Sequence, residues 1–313
     1  MKITQIAQLC MWLLGAIGFC LLIAQLMQTA PLSLSAGKSL TAELSDQHDQ
    51  THAEIISALT QADIVYLGET HNSVEDHEAQ YHIIAALYEQ NNQLAIALEM
   101  FQRPYQFALD QYLAGEISEG ELRTKTEYDQ RWGFEWEYYA PILRFAQAHR
   151  LPLLALNTPT EVTRKVARQG LASLSASERR TIPPLSEIRT DNAEYRRLLQ
   201  DVYAQHSHGE QTERSFENFF AAQVLWDETM AETVAQFWQA NPSYQVVVLA
   251  GQGHIIYDYG IPSRVVRRFA NSERSDVAAT SAHSQPTQAT VLLGTTPDST
   301  PGERPAADYF WEY

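Results

Sequence analysis

The sequence predicts an α/β fold: a mostly parallel sheet with helices on both faces, in a single domain behind an N-terminal membrane anchor. Three observations predict it. Four short apolar runs recur along the chain without alternating polar residues, as strands buried on both faces do. Segments with helical spacing of apolar residues separate them. Each run is followed directly by polar residues able to bind or react, and in open α/β sheets ligands bind beyond the carboxyl ends of the strands.

The elements follow in order. Residues 6–27 are 22 residues without a charge, including Trp12, Leu13, Leu14, Ile17, Phe19, Leu21, Leu22 and Ile23. At ~1.5 Å per residue such a run crosses a ~30 Å hydrocarbon layer. Lys2 and the α-amino group on one flank favour an N-inside orientation. A cleaved signal is the rival reading, with Thr29-Ala30 a poor cleavage site followed by Pro31. Both readings place the remainder on the extracytoplasmic side, periplasmic or lumenal. Cys10 and Cys20 both lie in this run, so cysteine-based chemistry is excluded from the rest. The anchor or signal takes residues 1–28, a polar tether 29–50, and the α/β domain 51–313.

Within the domain, Ile64-Val65-Tyr66-Leu67-Gly68 is the first strand. Ser73 with Asp76 forms an N-cap pattern for a helix to about Gln90. Leu94 to Leu98 is the second strand, with helices near 104–114, 118–126 and 137–149 behind it. Leu151 to Leu156 is the third, followed by helices near 160–170 and 191–206 and a long one near 214–240. Gln245 to Ala250 is the fourth, and a helix near 262–269 starts at Pro262. Residues 271–288 and 295–307 are rich in Ser, Thr, Pro, Ala and Gln and read as mobile loops around a short strand at 289–294. The terminal aromatics Tyr309, Phe310, Trp311 and Tyr313 favour a last strand.

The formal net charge of −16, with no basic cluster, excludes nucleic acid as a partner. The candidate site gathers Glu69 and His71 after the first strand, Glu99 after the second, Asn157 after the third, and His254 of Gly251-Gln252-Gly253-His254 after the fourth. His77 lies one turn into the following helix and shares a face with Tyr81. Arg103, just beyond Glu99, could hold a carboxylate or a carboxylate-bearing ligand. Two chemistries fit carboxylate plus imidazole. His71, His254 and Glu69 could bind a divalent metal that keeps a position open for water. Alternatively His71 or His254 acts as a base oriented by Glu69 or Glu99. Tyr138 and Tyr139 beside Trp132, Phe134 and Trp136 offer a third, since phenolate is an axial ligand of haem iron and aromatic surface covers a porphyrin; from the sequence alone the cluster reads first as an ordinary aromatic core or dimer patch. The chain holds neither a Gly-x-Ser-x-Gly elbow nor a phosphate loop.

Six motifs in order resemble the ChaN-like haem-binding family: Leu67-Gly68-Glu69-Thr70-His71-Asn72 with His77; Ala97-Leu98-Glu99-Met100-Phe101; Tyr139 and Pro141 before Leu153 to Asn157; Asp227-Glu228-Thr229-Met230-Ala231; Gly251-Gln252-Gly253-His254; and Ala307-Asp308-Tyr309-Phe310-Trp311. The resemblance covers roughly residues 52–313. It implies haem as cofactor, a role in iron uptake outside the cytosol, and a homodimer with haem at the interface on a tyrosine ligand, for which Tyr139 is the candidate. The wider Tiki and erythromycin-esterase superfamily implies the alternative of a metal-dependent peptidase or esterase using Glu69, His71, Glu99 and His254.

Overall fold

The computed structural model describes residues 51–206, 213–272, 285–295 and 304–313. Six strands form one sheet: β1 (Ile64–Glu69), β2 (Leu94–Gln102), β3 (Leu153–Asn157), β4 (Gln245–Gly251), β5 (Gln288–Leu293) and β6 (Tyr309–Trp311). Their order is β3-β2-β4-β1-β5-β6, and every neighbouring pair runs parallel. Every residue of the first four strands is buried, which is why each reads as an unbroken apolar run.

Ten helices connect and flank the strands among the described residues. They are α1 (51–59), α2 (Val74–Gln90), α3 (Gln106–Leu113), α4 (Glu119–Lys125), α5 (Tyr128–Arg131), α6 (Trp136–His149), α7 (Thr160–Gln169), α8 (Ala193–His206), α9 (Glu213–Ala240) and α10 (Ile261–Ser272). Helix α1 carries no pattern strong enough to predict it. Asn271 and Ser272, expected in a loop, extend α10 instead, and Gln288 begins β5. The rest of the expected loops near 271–288 and 295–307 falls mostly outside the described residues, as do the anchor and tether expected over residues 1–50. Among the described residues no helix is long and apolar enough to cross a membrane.

The pleat divides the interior in two. Val65 and Leu67 of β1, Ile96 and Leu98 of β2, and Val247 and Leu249 of β4 join a core under α1, α2, α3 and α6. Ile64 and Tyr66, Ala97, and Val246, Val248 and Ala250 join the opposite core under α7 to α10. Successive side chains on a strand point to opposite faces, so each strand end inherits the phase of its strand. The chain leaves β1 through α2 toward β2 and leaves β4 through α10 toward β5, so the two connections depart in opposite directions over opposite faces. Such a switch point, at the carboxyl ends of the two central strands, is where open α/β sheets place their ligands.

Helix α2 begins as the sequence predicts: the Ser73 side chain accepts from the Asp76 N–H at 3.1 Å. Asp76 also accepts from the Thr70 N–H at 2.5 Å, tying the loop between β1 and α2 to the helix start. Ser73→Ala is expected to cost about 1 kcal/mol in chemical denaturation, the usual worth of an N-cap.

Candidate functional site

Glu69 is the last residue of β1 and continues the phase of Val65 and Leu67, so its carboxylate turns toward α2 and α6. Only 1% of the residue is exposed. Its Oε1 accepts from His71 Nδ1 at 2.6 Å and from the Tyr139 hydroxyl at 2.5 Å. Its Oε2 accepts from Gln80 Nε2 at 2.5 Å and lies 3.7 Å from His77 Nδ1. Burial pushes the Glu69 carboxyl up, but the charge of His77 and the bonds from His71 and Tyr139 prevail and lower it to about 2.

His77 is held at both ring nitrogens. Its Nε2 faces the His71 carbonyl at 3.1 Å and its Nδ1 faces Gln80 Oε1 at 3.1 Å. Gln80 is itself oriented by Glu69, because its amide nitrogen serves the carboxylate. The His77 ring is thus fixed beside ionised Glu69. The Tyr138 ring stacks on it at 4.9 Å between centroids and 16° between planes. The His71 ring is edged by Trp132 at 4.8 Å and Phe134 at 4.9 Å.

Glu99 takes the other phase, that of Ala97, and turns to the opposite face. Its Oε2 accepts from the Gly251 N–H at 2.8 Å and its Oε1 lies 3.5 Å from His254 Nε2. His254 Nδ1 donates to Asp227 Oδ1 of α9 at 2.6 Å, and Tyr195 donates to Asp227 Oδ2 at 3.0 Å. Burial, then the Asp227 charge, raises the Tyr195 phenol well above its ordinary value, so it remains a donor. Asn157 buttresses the cluster by donating to the Glu99 carbonyl at 2.9 Å.

The structure thus sorts the expected residues into two buried networks rather than one. Glu69, His71 and His77 form the first; Glu99 and His254 form the second. They meet at Gly251, which pairs with Glu69 in the sheet and donates to Glu99. The metal set His71, His254 and Glu69 is not assembled: among the described residues no group of three or more His, Cys, Asp or Glu side chains is placed to hold an ion. Glu69 and His71 bond each other, and His254 is committed to Asp227.

One further expectation is corrected. Tyr139, the candidate iron ligand, is fully buried, and burial followed by the Glu69 charge holds its phenol far above the ordinary value. It donates a proton to Glu69 and cannot present a phenolate outward. Arg103 holds a carboxylate of the chain itself, that of Glu232 on α9 at 2.6 Å, with Thr233 at 2.8 Å. A 3-10 turn at Gln252–His254 directly follows β4, and Tyr257 and Asp258 beyond it adopt φ of 55° and 57°. Gln80 and Asp227 were not singled out, although a polar residue inside a helix face of apolar spacing is a legible signal in both cases.

The fold and its strand-end carboxylate–histidine networks define a protein of the Tiki superfamily. The chain belongs to the ChaN family of haem-binding uptake proteins, whose model matches residues 55–265. A chloroplastic protein of Arabidopsis thaliana, RETICULATA-RELATED 5, is 27% identical over 278 residues. That match covers 81% of this chain but only 34% of the relative's length. The structure of ChaN from Campylobacter jejuni, solved with cofacial haem, superposes with a TM-score of 0.57 at 20% identity, covering 82% of this chain and 90% of that one. An erythromycin esterase mutant in its open conformation gives a TM-score of 0.42 at 15% identity, over 81% of this chain and 77% of that one.

Ionised Glu69 stabilises the fold because its folded value, about 2, lies below the ordinary 4.5. That stability, about 3 kcal/mol, is fully present above pH 4.5 and is lost as pH falls toward 2. Glu69→Gln is expected to be less stable at neutral pH and to lack this acid-sensitive segment when urea denaturation is followed across the same pH range.

Proposed function

We propose that this chain binds haem on the aromatic face above the Glu69 network, with Tyr138 as the iron ligand. One observation carries the assignment: the half-buried Tyr138 ring lies flat on the His77 ring at the rim of the network. Its hydroxyl is not among the partners of Glu69, whereas the neighbouring Tyr139 is locked there as a donor. The surrounding side chains fit a flat, largely apolar ligand. Trp132 and Phe134 stand half-buried on one side, and Tyr81, 40% exposed, meets Phe145 on the other. Haem bound there would supply a ferric centre with an oxygen ligand, and the chain's own part is to hold that ring in place.

The family description supports a role in haem or iron uptake, and the uncharged run at 6–27 supports placement of the domain outside the cytosol on a membrane tether. The same aromatic face, continued by Tyr88 and Phe145 with ring centroids 5.5 Å apart, would bring two copies together as a dimer.

Haem titration of the purified full-length chain tests this reading. A Soret band is expected in the wild type, with affinity reduced about 10-fold or more and a shifted band in Tyr138→Phe. Tyr139→Phe is expected to keep the wild-type band while losing stability. Absence of any band overturns haem binding, and an unchanged spectrum in Tyr138→Phe overturns the ligand.

A second reading rests on the other network. Asp227 orients His254 through a 2.6 Å bond, and the opposite ring nitrogen faces Glu99, an arrangement suited to a general base in hydrolysis. If it operates, hydrolysis of some member of a panel of esters and peptides will fall at least ~100-fold in His254→Ala; an inactive wild type, or an unaffected variant, removes it.

A further inference from the structure

We propose a second ligand site, for a small oxyanion-bearing molecule, in the cleft between α9, α10 and residues 186–189. It does not rest on the haem reading. The cleft has a volume of about 360 Å³ and is lined by Arg189, Arg267, Arg268, Gln236 and Gln239, with Glu187 and Glu232 also on its wall. In a chain of net charge −16 this is a local gathering of guanidinium groups.

The carboxylates nearby are already engaged. Glu228 is fully buried behind the cleft and receives Arg267 at 2.6 Å, Arg268 at 3.0 Å and Arg264 at 3.4 Å. Glu187 takes Arg268 at 2.5 Å, and Glu232 takes Arg103 at 2.6 Å. Four guanidinium groups therefore share three carboxylates, and Arg264 reaches Asp227 only at 3.9 Å. Arg189 adds a fifth guanidinium, exposed and without a carboxylate partner among the described residues. An uncommitted guanidinium is a place where an incoming oxyanion gains charge-assisted bonds without displacing existing ones. The volume suits a phosphate monoester or a dicarboxylate, and the glutamines would serve its neutral part. Through Glu228, Arg264 and Asp227 the cleft is joined by successive ion pairs to His254.

Isothermal titration of inorganic phosphate and, separately, of succinate into the full-length chain at fixed ionic strength tests the site. Saturable binding of at least one is expected, weakened about 10-fold or more by Arg189→Ala. Arg123→Ala, which removes an exposed ion pair to Asp129 elsewhere, is expected to leave it unchanged. Binding of phosphate alone assigns a phosphate ligand, and binding of succinate alone a carboxylate one. Absence of binding by both, or equal binding by Arg189→Ala and the wild type, overturns the proposal.

Discussion

A carboxylate withdrawn from water must be repaid in hydrogen bonds and opposite charge, or it takes up a proton. Glu69 meets that demand with four partners drawn from three places: His71 from the loop after β1, His77 and Gln80 from α2, and Tyr139 from α6. The same bonds therefore fix how α2 and α6 sit on the strand. Each partner is constrained in turn. Gln80 is oriented by Glu69 and in turn holds His77 Nδ1, and Tyr139 is kept protonated by the charge it serves. The aromatic face is a consequence: Tyr138, Trp132 and Phe134 surround imidazole rings that the buried network has already placed.

The second constraint is the two-residue period of a strand. Glu69 ends β1 and Glu99 lies three residues before the end of β2, so both sit toward the carboxyl edge of the sheet. They differ in phase, so one belongs to the face of α2 and the other to the face of α9. A glutamate with three donors, a fourth partner at 3.7 Å and a carboxyl lowered to about 2 is a poor proton acceptor near neutrality. Glu99 carries fewer bonds and faces a histidine polarised from behind by Asp227. If the fold performs binding on one face and acid–base chemistry on the other, this asymmetry divides the labour.

Much of the architecture was legible in the sequence. Fully buried strands cannot alternate, so Ile64 to Gly68, Leu94 to Leu98 and Gln245 to Ala250 announced themselves, and Ser73 marked the start of α2. The residues at the strand ends were also identifiable, because each follows an apolar run. Their grouping was not. Position along a strand says which residues reach the carboxyl edge, while phase says which face they join, and phase was left out of account. Arg103 illustrates a different limit: its partner Glu232 lies 129 residues away on α9, and no local pattern announces such a pairing. Asp227 was visible as part of a motif, but its role depends on α9 crossing beneath the end of β4, which only the packed structure reveals.

The two adjacent tyrosines of α6 concentrate the difficulty. Successive residues on a helix lie about 100° apart, so of two neighbours at a helix–sheet interface one points in and the other to the rim. Tyr139 points in, is fully buried and gives its proton to Glu69; Tyr138 is half-buried and lies on the His77 ring. From composition the pair is interchangeable, and choosing the inner one as iron ligand was as reasonable as choosing the outer. Their surroundings separate them. The Tyr139 phenol is held neutral by burial and by the carboxylate it faces, whereas the Tyr138 ring lies on an imidazole at the rim. Helix α6 creates both environments within one peptide bond of each other.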